Sequence, residues 1–162
     1  MKTLKQLIAL FKNAVSPITV GNNRLILFAT AVKALGTDAS PADVAPDEVG
    51  CAETIYDILG AAFPLNVGFA FTVSTSQLYR SLLASPKYIR IDQPLEGDIV
   101  ISPSGYGNGG LSNGHVGIKG ELDKIMSNSS ATGTFEENYT MQGWKDRYVA
   151  IGGYPMAFFR RV

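Results

Sequence analysis

The sequence is poor in cysteine and histidine, with only Cys51 and His115 in 162 residues. A lone cysteine cannot close an internal disulfide, so packing must stabilise the fold. One cysteine and one histidine also offer too few ligands for a zinc site, and we expect neither a metal nor a cofactor. Any chemistry that pairs a thiol with an imidazole can use only these two residues.

The sequence also lacks an excess of charge of one sign, since 14 basic side chains balance 14 acidic ones. We therefore expect no nucleic-acid partner. The N-terminal apolar run is broken by Lys5 and Lys12 without a small-residue cleavage site, which predicts no signal peptide. The most apolar stretch elsewhere, residues 25–35, is too short to cross a bilayer. These features predict a soluble monomer without a membrane span.

Hydrophobic periodicity predicts one α+β domain over residues 1–162, with a helical N-terminal part (1–49) and a core (50–162). Predicted helices cover 4–15, 24–35, 50–63 and 74–83. Predicted strands cover 88–91, 98–101, 115–119, 124–128 and 154–159, with a short helix at 140–147. This order favours N-terminal helices packed on a small antiparallel sheet.

Cys51 begins the predicted helix 50–63, on the face that carries the residues at positions 55, 58, 59 and 62. The N-terminus of a helix carries partial positive charge and unpaired N–H groups, which lower a thiol pKa and can hold an oxyanion. The hypothesis is a nucleophile directed at the sheet, partly exposed and quickly alkylated at neutral pH. The commoner role of a lone cysteine is that of a small buried hydrophobe.

His115 opens a predicted strand after the stretch 102–114, which is rich in glycine, serine and asparagine. If the chain turns back through a two-residue turn and pairs antiparallel with residues 124–128, His115 faces Asn128. An amide oxygen there accepts from the imidazole and fixes its tautomer, as the third member of a catalytic triad does. A slip of one residue places Ser127 there instead.

Other active-site chemistries have weaker support. A serine nucleophile is disfavoured because no G-x-S-x-G sequence occurs. A carboxylate pair for glycoside cleavage stays open, although the spacing selects no pair among Glu53, Asp57, Glu96 and Asp98. Asp98 is predicted to cap the turn before its strand. The polar segment 127–139 is a possible peptide- or sugar-binding surface, and Trp144 and Tyr148 line the same cleft or belong to the core.

Three segments in order, C-A-E-T at 51–54, P-L-E-G-D-I-V-I at 94–101 and G-H-V-G-I at 114–118, resemble the NlpC/P60 and CHAP families. Those families are papain-like peptidases and amidases that cut the peptide part of bacterial peptidoglycan, and phages carry many of them as endolysins or virion-associated lysins. The resemblance implies a papain-like fold, Cys51 as nucleophile, His115 as base and Asn128 as orienting residue. It implies the peptidoglycan stem peptide as substrate.

Under this interpretation, an endolysin in the host cytoplasm is released to the cell wall by other proteins, or the chain belongs to a virion. A secreted antibacterial amidase toxin shares the same chemistry. A structural or binding protein of the same fold is the non-enzymatic alternative, and it predicts an inert, buried Cys51 and a distant His115.

Overall fold

The computed structural model describes residues 17–39, 50–108 and 113–162. The helices there are α1 (Pro17–Ala34), α2 (Cys51–Ala62), α3 (Thr75–Ala84) and α4 (Met141–Trp144), and α4 continues into a π-helical segment (Lys145–Ile151). The strands are β1 (Tyr88–Ile91), β2 (Ile99–Ser102), β3 (His115–Lys119), β4 (Lys124–Asn128), β5 (Phe135–Thr140) and β6 (Ala157–Arg161).

The six strands form one sheet in the order β1-β6-β2-β3-β4-β5, and every neighbouring pair is antiparallel. The α+β class and the antiparallel sheet predicted from the sequence are confirmed. None of the helices within the described ranges is long and apolar enough to cross a membrane. The single-domain organisation stays a prediction.

Each face of the sheet carries its own apolar cluster, because side chains alternate along a strand. Val116 and Ile118 of β3 pack with Ile55 and Leu59 of α2 in the first cluster, which also contains Cys51. The second cluster lies on the opposite face and consists of Val100, Ile125, Trp144, Tyr148 and Tyr154. The first face therefore lies under the helices α1 to α3, and the second under the π-helical region.

Most helix predictions agree with the structure. Helix α1 begins at Pro17 rather than at residue 24, because proline fits the first turn of a helix. Its predicted stop at Gly36 is confirmed, with φ at 78°. The α3 prediction is also confirmed, and the side chain of Ser74 caps that helix by accepting from the Gln77 N–H. The helix predicted at 4–15 lies outside the described residues.

Strand β5 was not predicted. Its sequence, F-E-E-N-Y-T, is polar because β5 is an edge strand whose outer side meets solvent, so no apolar alternation marks it. The last strand begins at Ala157, three residues later than predicted. The helix predicted at 140–147 is the short α4 and the start of the π-helical segment.

The predicted register between β3 and β4 is wrong by one residue. Gly117 pairs with Ser127 and Ile118 with Met126, so the strand is shifted by one from the predicted pairing of His115 with Asn128. The cause is a three-residue loop where two residues were expected, closed by the Gly120 N–H donating to the Lys124 carbonyl at 2.9 Å. A shift of one residue exchanges the faces of every side chain on the strand.

Candidate functional site

Cys51 is the first residue of α2, and its side chain is only 5% exposed. Burial raises the pKa of the thiol to about 11, although hydrogen bonds from the backbone N–H groups of Val116, Ala52 and Cys51 itself act in the opposite direction. The thiol is therefore protonated at neutral pH. This differs from the expectation of a partly exposed, reactive cysteine, because desolvation outweighs the effect of the helix N-terminus.

A cavity of about 270 Å³ adjoins Cys51, and hydroxyl groups organise its wall. Thr75 Oγ1 lies 2.8 Å from Ser104 Oγ and accepts from the Ser104 N–H at 3.0 Å. Ser104 Oγ in turn accepts from the Gly114 N–H at 2.8 Å. These contacts tie the N-terminus of α3 to the chain just before β3, and so they fix the shape of the cavity over the thiol.

The His115 imidazole is buried and hydrogen-bonded across the sheet. Its Nε2 lies 2.9 Å from Ser127 Oγ, and the Ser127 hydroxyl donates to Asn138 Oδ1 at 2.6 Å. Because the single serine proton is directed to Asn138, Ser127 Oγ accepts from His115 Nε2. Asn138 is fixed in turn, since its Nδ2 donates to the Asn128 carbonyl at 3.2 Å. Strands β3, β4 and β5 each contribute one member of this chain.

Aromatic rings surround the imidazole on the face of the sheet opposite to α2. The His115 ring stacks on Tyr148 at 5.3 Å between centroids and lies 5.2 Å from the Trp144 ring and 5.7 Å from the Tyr139 ring. Burial first and the charge of Arg147 second lower the pKa of His115 to about 3, although a hydrogen bond to the Asn128 carbonyl acts in the opposite direction. The ring is neutral at physiological pH, which is the form that accepts a proton.

A second cavity, of about 370 Å³, opens beside His115. Its lining is mostly polar, with amide, hydroxyl and guanidinium groups: Asn113, Gly114, His115, Asn128, Ser129, Ser130, Ala131, Asn138, Tyr139, Arg147 and Tyr148. Asn113 and Gly114 line the Cys51 cavity as well. The two cavities therefore meet at the residues that lead into β3.

The structure brings the predicted nucleophile and base to the same end of β3 but not into contact. Cys51 Sγ accepts from the N–H of Val116, the residue that follows His115. The His115 ring lies on the other face, where the neutral ring donates its one N–H to Ser127 and the Asn128 carbonyl favours the protonated form. Asn128 lines the His115 cavity, but the side chain that meets the imidazole is that of Ser127. The catalytic roles of Cys51, His115 and Asn128 stay predictions.

Other residues considered from the sequence have clear positions. Asp98 is structural, since its carboxylate accepts from the Leu95 N–H at 2.7 Å and pairs with Arg160 at 2.6 Å. Trp144 is fully buried and donates through Nε1 to Ser102 Oγ at 3.0 Å, so it belongs to the core. Tyr148 lines the cavity beside His115, which agrees with the cleft-lining alternative given for it from the sequence.

Two residues of the site were not among the predicted site residues, although Asn138 lies in the polar segment 127–139 and Arg147 ends the predicted helix 140–147. Asn138 lies on the unpredicted strand β5, and Arg147 lies in the π-helical segment. No periodic signal in the sequence separates either from an ordinary surface residue. Among the described residues, no three cysteine, histidine or acidic side chains are grouped closely enough to hold a metal ion.

Fold and site together define an α+β protein in which a helix-borne cysteine lies against an antiparallel sheet beside a buried histidine. No protein-family model and no curated protein sequence matches the chain. The fold is similar to that of a chain in the crystal structure of the type VI native effector-immunity complex Tae3-Tai3 from Ralstonia pickettii, with a TM-score of 0.50 and 19% identity. The match covers 84% of this chain and 98% of that chain. At this identity the likeness concerns the fold alone.

Proposed function

We propose that the chain is a cysteine hydrolase that cleaves amide bonds in the peptide part of bacterial peptidoglycan, and that it acts as an antibacterial amidase toxin. One observation carries the proposal: the only cysteine begins a helix that packs on β3, where its sulfur accepts from the N–H that follows the only histidine. This is a helix N-terminus with backbone donors directed at the sulfur, which suits stabilisation of an oxyanion during acyl transfer.

A toxin is preferred to a phage lysin because of the solved structure that shares the fold. That structure joins an effector to an immunity protein, whereas the lysin interpretation rests on short motifs alone. Under the proposal, the substrate is the peptidoglycan stem peptide and a cognate immunity protein is the partner. The chain reaches the target cell wall through a delivery system made of other proteins.

In the proposed mechanism, His115 removes the proton of Cys51 as the sulfur attacks the amide carbonyl. The backbone N–H of Cys51 holds the oxyanion, and His115 gives the proton to the leaving amine as the C–N bond breaks and the thioester forms. Water, deprotonated by the neutral ring, then hydrolyses the thioester, which releases the acid and restores the thiol. The thiol is protonated and the ring neutral in this structure, so the proposal requires proton transfer to accompany attack. Substrate has to draw ring and thiol within hydrogen-bond reach across Asn113 and Gly114.

A second candidate function is that of a binding protein without catalysis. It is favoured by the burial of Cys51, by its raised pKa and by the position of the His115 ring on the opposite face of the sheet. In that case the cavity beside His115 serves ligand binding alone. The two candidates differ in one measurable property, the covalent change in the peptidoglycan.

The experiment is incubation of purified peptidoglycan with the wild type, Cys51→Ala, His115→Ala and a Gly60→Ala control, followed by mass spectrometry of soluble fragments. We expect fragments from the wild type and the control, and none from the other two variants when circular dichroism shows them folded. The fragments identify the cleaved bond. Undiminished release by Cys51→Ala contradicts the mechanism, and no release by the wild type favours the binding protein.

The toxin role is tested separately by expression in bacteria. Export of the wild type to the periplasm should lyse the cells, while the same chain kept in the cytoplasm, or exported as Cys51→Ala, should not. Equal toxicity in both compartments contradicts an attack on the cell wall.

A further inference from the structure

We propose that Arg147 binds a carboxylate of a peptide ligand in the cavity beside His115. The identification of that ligand as a peptidoglycan stem peptide rests on the proposed function, whereas the carboxylate site rests on the geometry of the cavity alone. Nothing in the proposed hydrolysis requires this residue.

The lining of the cavity is selective in its chemistry. Three asparagines and two serines, Asn113, Asn128, Asn138, Ser129 and Ser130, surround it, and Arg147 provides its one permanent charge. No aspartate or glutamate is among the described residues that line it. Amide and hydroxyl groups hydrogen-bond to peptide groups, and a lone guanidinium adds a preference for an anion.

Arg147 has no acidic partner among the residues that the structure describes. The ion pairs there join Arg24 to Glu96 and Arg160 to Asp98. Arg147 instead lies over the ring of Tyr148, 5.7 Å from its centroid, and hydrogen-bonds to the same tyrosine. Its charge is therefore available to a ligand.

The tyrosine contacts bring the exposed guanidinium to the edge of the cavity. Tyr148 is buried, and its hydroxyl lies 3.1 Å from that of Tyr139, which also lines the cavity. The guanidinium of Arg147 lies 5.7 Å from the centroid of the Tyr148 ring, and its planar set of N–H donors can match a carboxylate with two parallel hydrogen bonds. This arrangement suits recognition of a carboxylate better than a mobile lysine does.

The position of Arg147 also gives the ligand a direction. Asn113 and Gly114 line both this cavity and the one that contains Cys51. A peptide anchored by its carboxylate on Arg147 extends past these two residues toward the thiol. The carboxylate site thus selects peptides with an acidic group at one side of the amide that reaches Cys51.

The test is calorimetric binding of a soluble stem tetrapeptide to Cys51→Ala protein, which cannot turn it over, compared with the same peptide with its carboxylates amidated. We expect the acid form to bind about tenfold more tightly, and Arg147→Gln to abolish that preference while Arg147→Lys restores part of it. Lys145→Gln is the matched control, because it removes a positive charge from the same segment but lines a different cavity.

Three outcomes overturn the inference: equal affinity for both peptides, an unchanged preference in Arg147→Gln, or no binding of either peptide. Failure of the proposed function is distinguishable from these. If the protein binds the acid form selectively but the wild type does not cleave peptidoglycan, the proposed hydrolase activity is contradicted and the carboxylate site at Arg147 is supported. Cleavage with a KM that Arg147→Gln leaves unchanged contradicts the site and keeps the hydrolase.

Discussion

The Nε2 atom of His115 lies 2.9 Å from Ser127 Oγ, and the serine donates onward to Asn138. One ring is thereby oriented from two neighbouring strands, while aromatic side chains hold its faces. These contacts hold the imidazole in the orientation described, and the proposed reaction requires substrate to displace it from them. In the proposed reaction Ser127 and Asn138 are positioning residues, because they act on the ring and not on the substrate.

Replacing Ser127 with alanine should therefore affect the ring, whereas replacing Asn128 should not. Ser127→Ala removes the acceptor at Nε2, which costs about 1 kcal/mol or more in a buried site and should lower peptidoglycan cleavage roughly tenfold. Nitrogen NMR of the only histidine should show changed Nε2 and Nδ1 shifts in Ser127→Ala. In Asn128→Ala the backbone carbonyl remains, so the shifts should stay near those of the wild type. The reverse pattern restores Asn128 as the orienting residue.

The protonation of His115 offers a direct test of its surroundings. Burial first, and the charge of Arg147 second, lower its pKa to about 3. The titratable groups around the ring are Arg147, Tyr139 and Tyr148, and the charge that lowers the pKa of His115 is that of Arg147. NMR titration of the single histidine should give a pKa well below 6.5 in the wild type and a higher one in Arg147→Gln. A wild-type value near 6.5 contradicts a buried ring.

Stability should fall in acid for the same reason. A histidine kept neutral in the folded state takes up its proton only on unfolding, so its contribution is complete above the unfolded pKa of 6.5 and is lost as the pH falls toward about 3. Each pH unit in that window costs about 1.4 kcal/mol. Urea unfolding between pH 7 and pH 5 should show this loss, reduced in His115→Gln. If His115→Gln loses as much stability between pH 7 and pH 5 as the wild type, protonation of carboxylates and not of His115 causes the loss.

The strands nearest the site were predicted from the sequence with correct bounds, but the pairing between them was not. Alternating apolar residues fix the ends of β3 and β4, because each strand is flanked by glycine or polar residues. Register depends on the length of the loop, and Leu122 adopts a left-handed φ of 51° that its residue type does not advertise. Because the loop is one residue longer than predicted, the register shifts by one, and the side chain beside the imidazole is that of Ser127 instead of Asn128.

The faces of the sheet explain the other difference. The helix face shared by Cys51, Ile55, Ile58 and Leu59 was predicted to look toward the sheet, and all four are buried there. His115 lies on the opposite face because it alternates with Val116 along β3, and its ring packs there among Tyr139, Trp144 and Tyr148, which come from β5, α4 and the π-helical segment. Those elements carry no simple periodic pattern, so sequence reasoning had no means to place a ring between them.

The state of the Cys51 thiol gives a further prediction. With a pKa of about 11 against 9.0 for an ordinary thiol, the thiolate fraction at neutral pH is lowered about 100-fold. Iodoacetamide should therefore modify the folded protein at least that much more slowly than the urea-unfolded chain, as followed by mass spectrometry. The rate should rise with pH until about 11. Rapid labelling at pH 7 means that the thiol is exposed and its pKa lowered.

Two glycines provide a matched test of the wall between the two cavities. A Cβ on Gly114 would collide with the backbone of Ser102 and of Ser104, so Gly114→Ala must displace the segment that joins the cavities. We expect a loss of about 1–3 kcal/mol in the free energy of unfolding and weaker binding of the stem tetrapeptide.

The control is Gly60→Ala in α2, where the added Cβ meets no atom within 4 Å. This variant should stabilise the helix by about 0.5–1 kcal/mol without altering binding. Denaturant unfolding and calorimetry measure both effects. If Gly114→Ala is destabilised but binds the tetrapeptide as tightly as the wild type, the segment around Gly114 does not contribute to the ligand site.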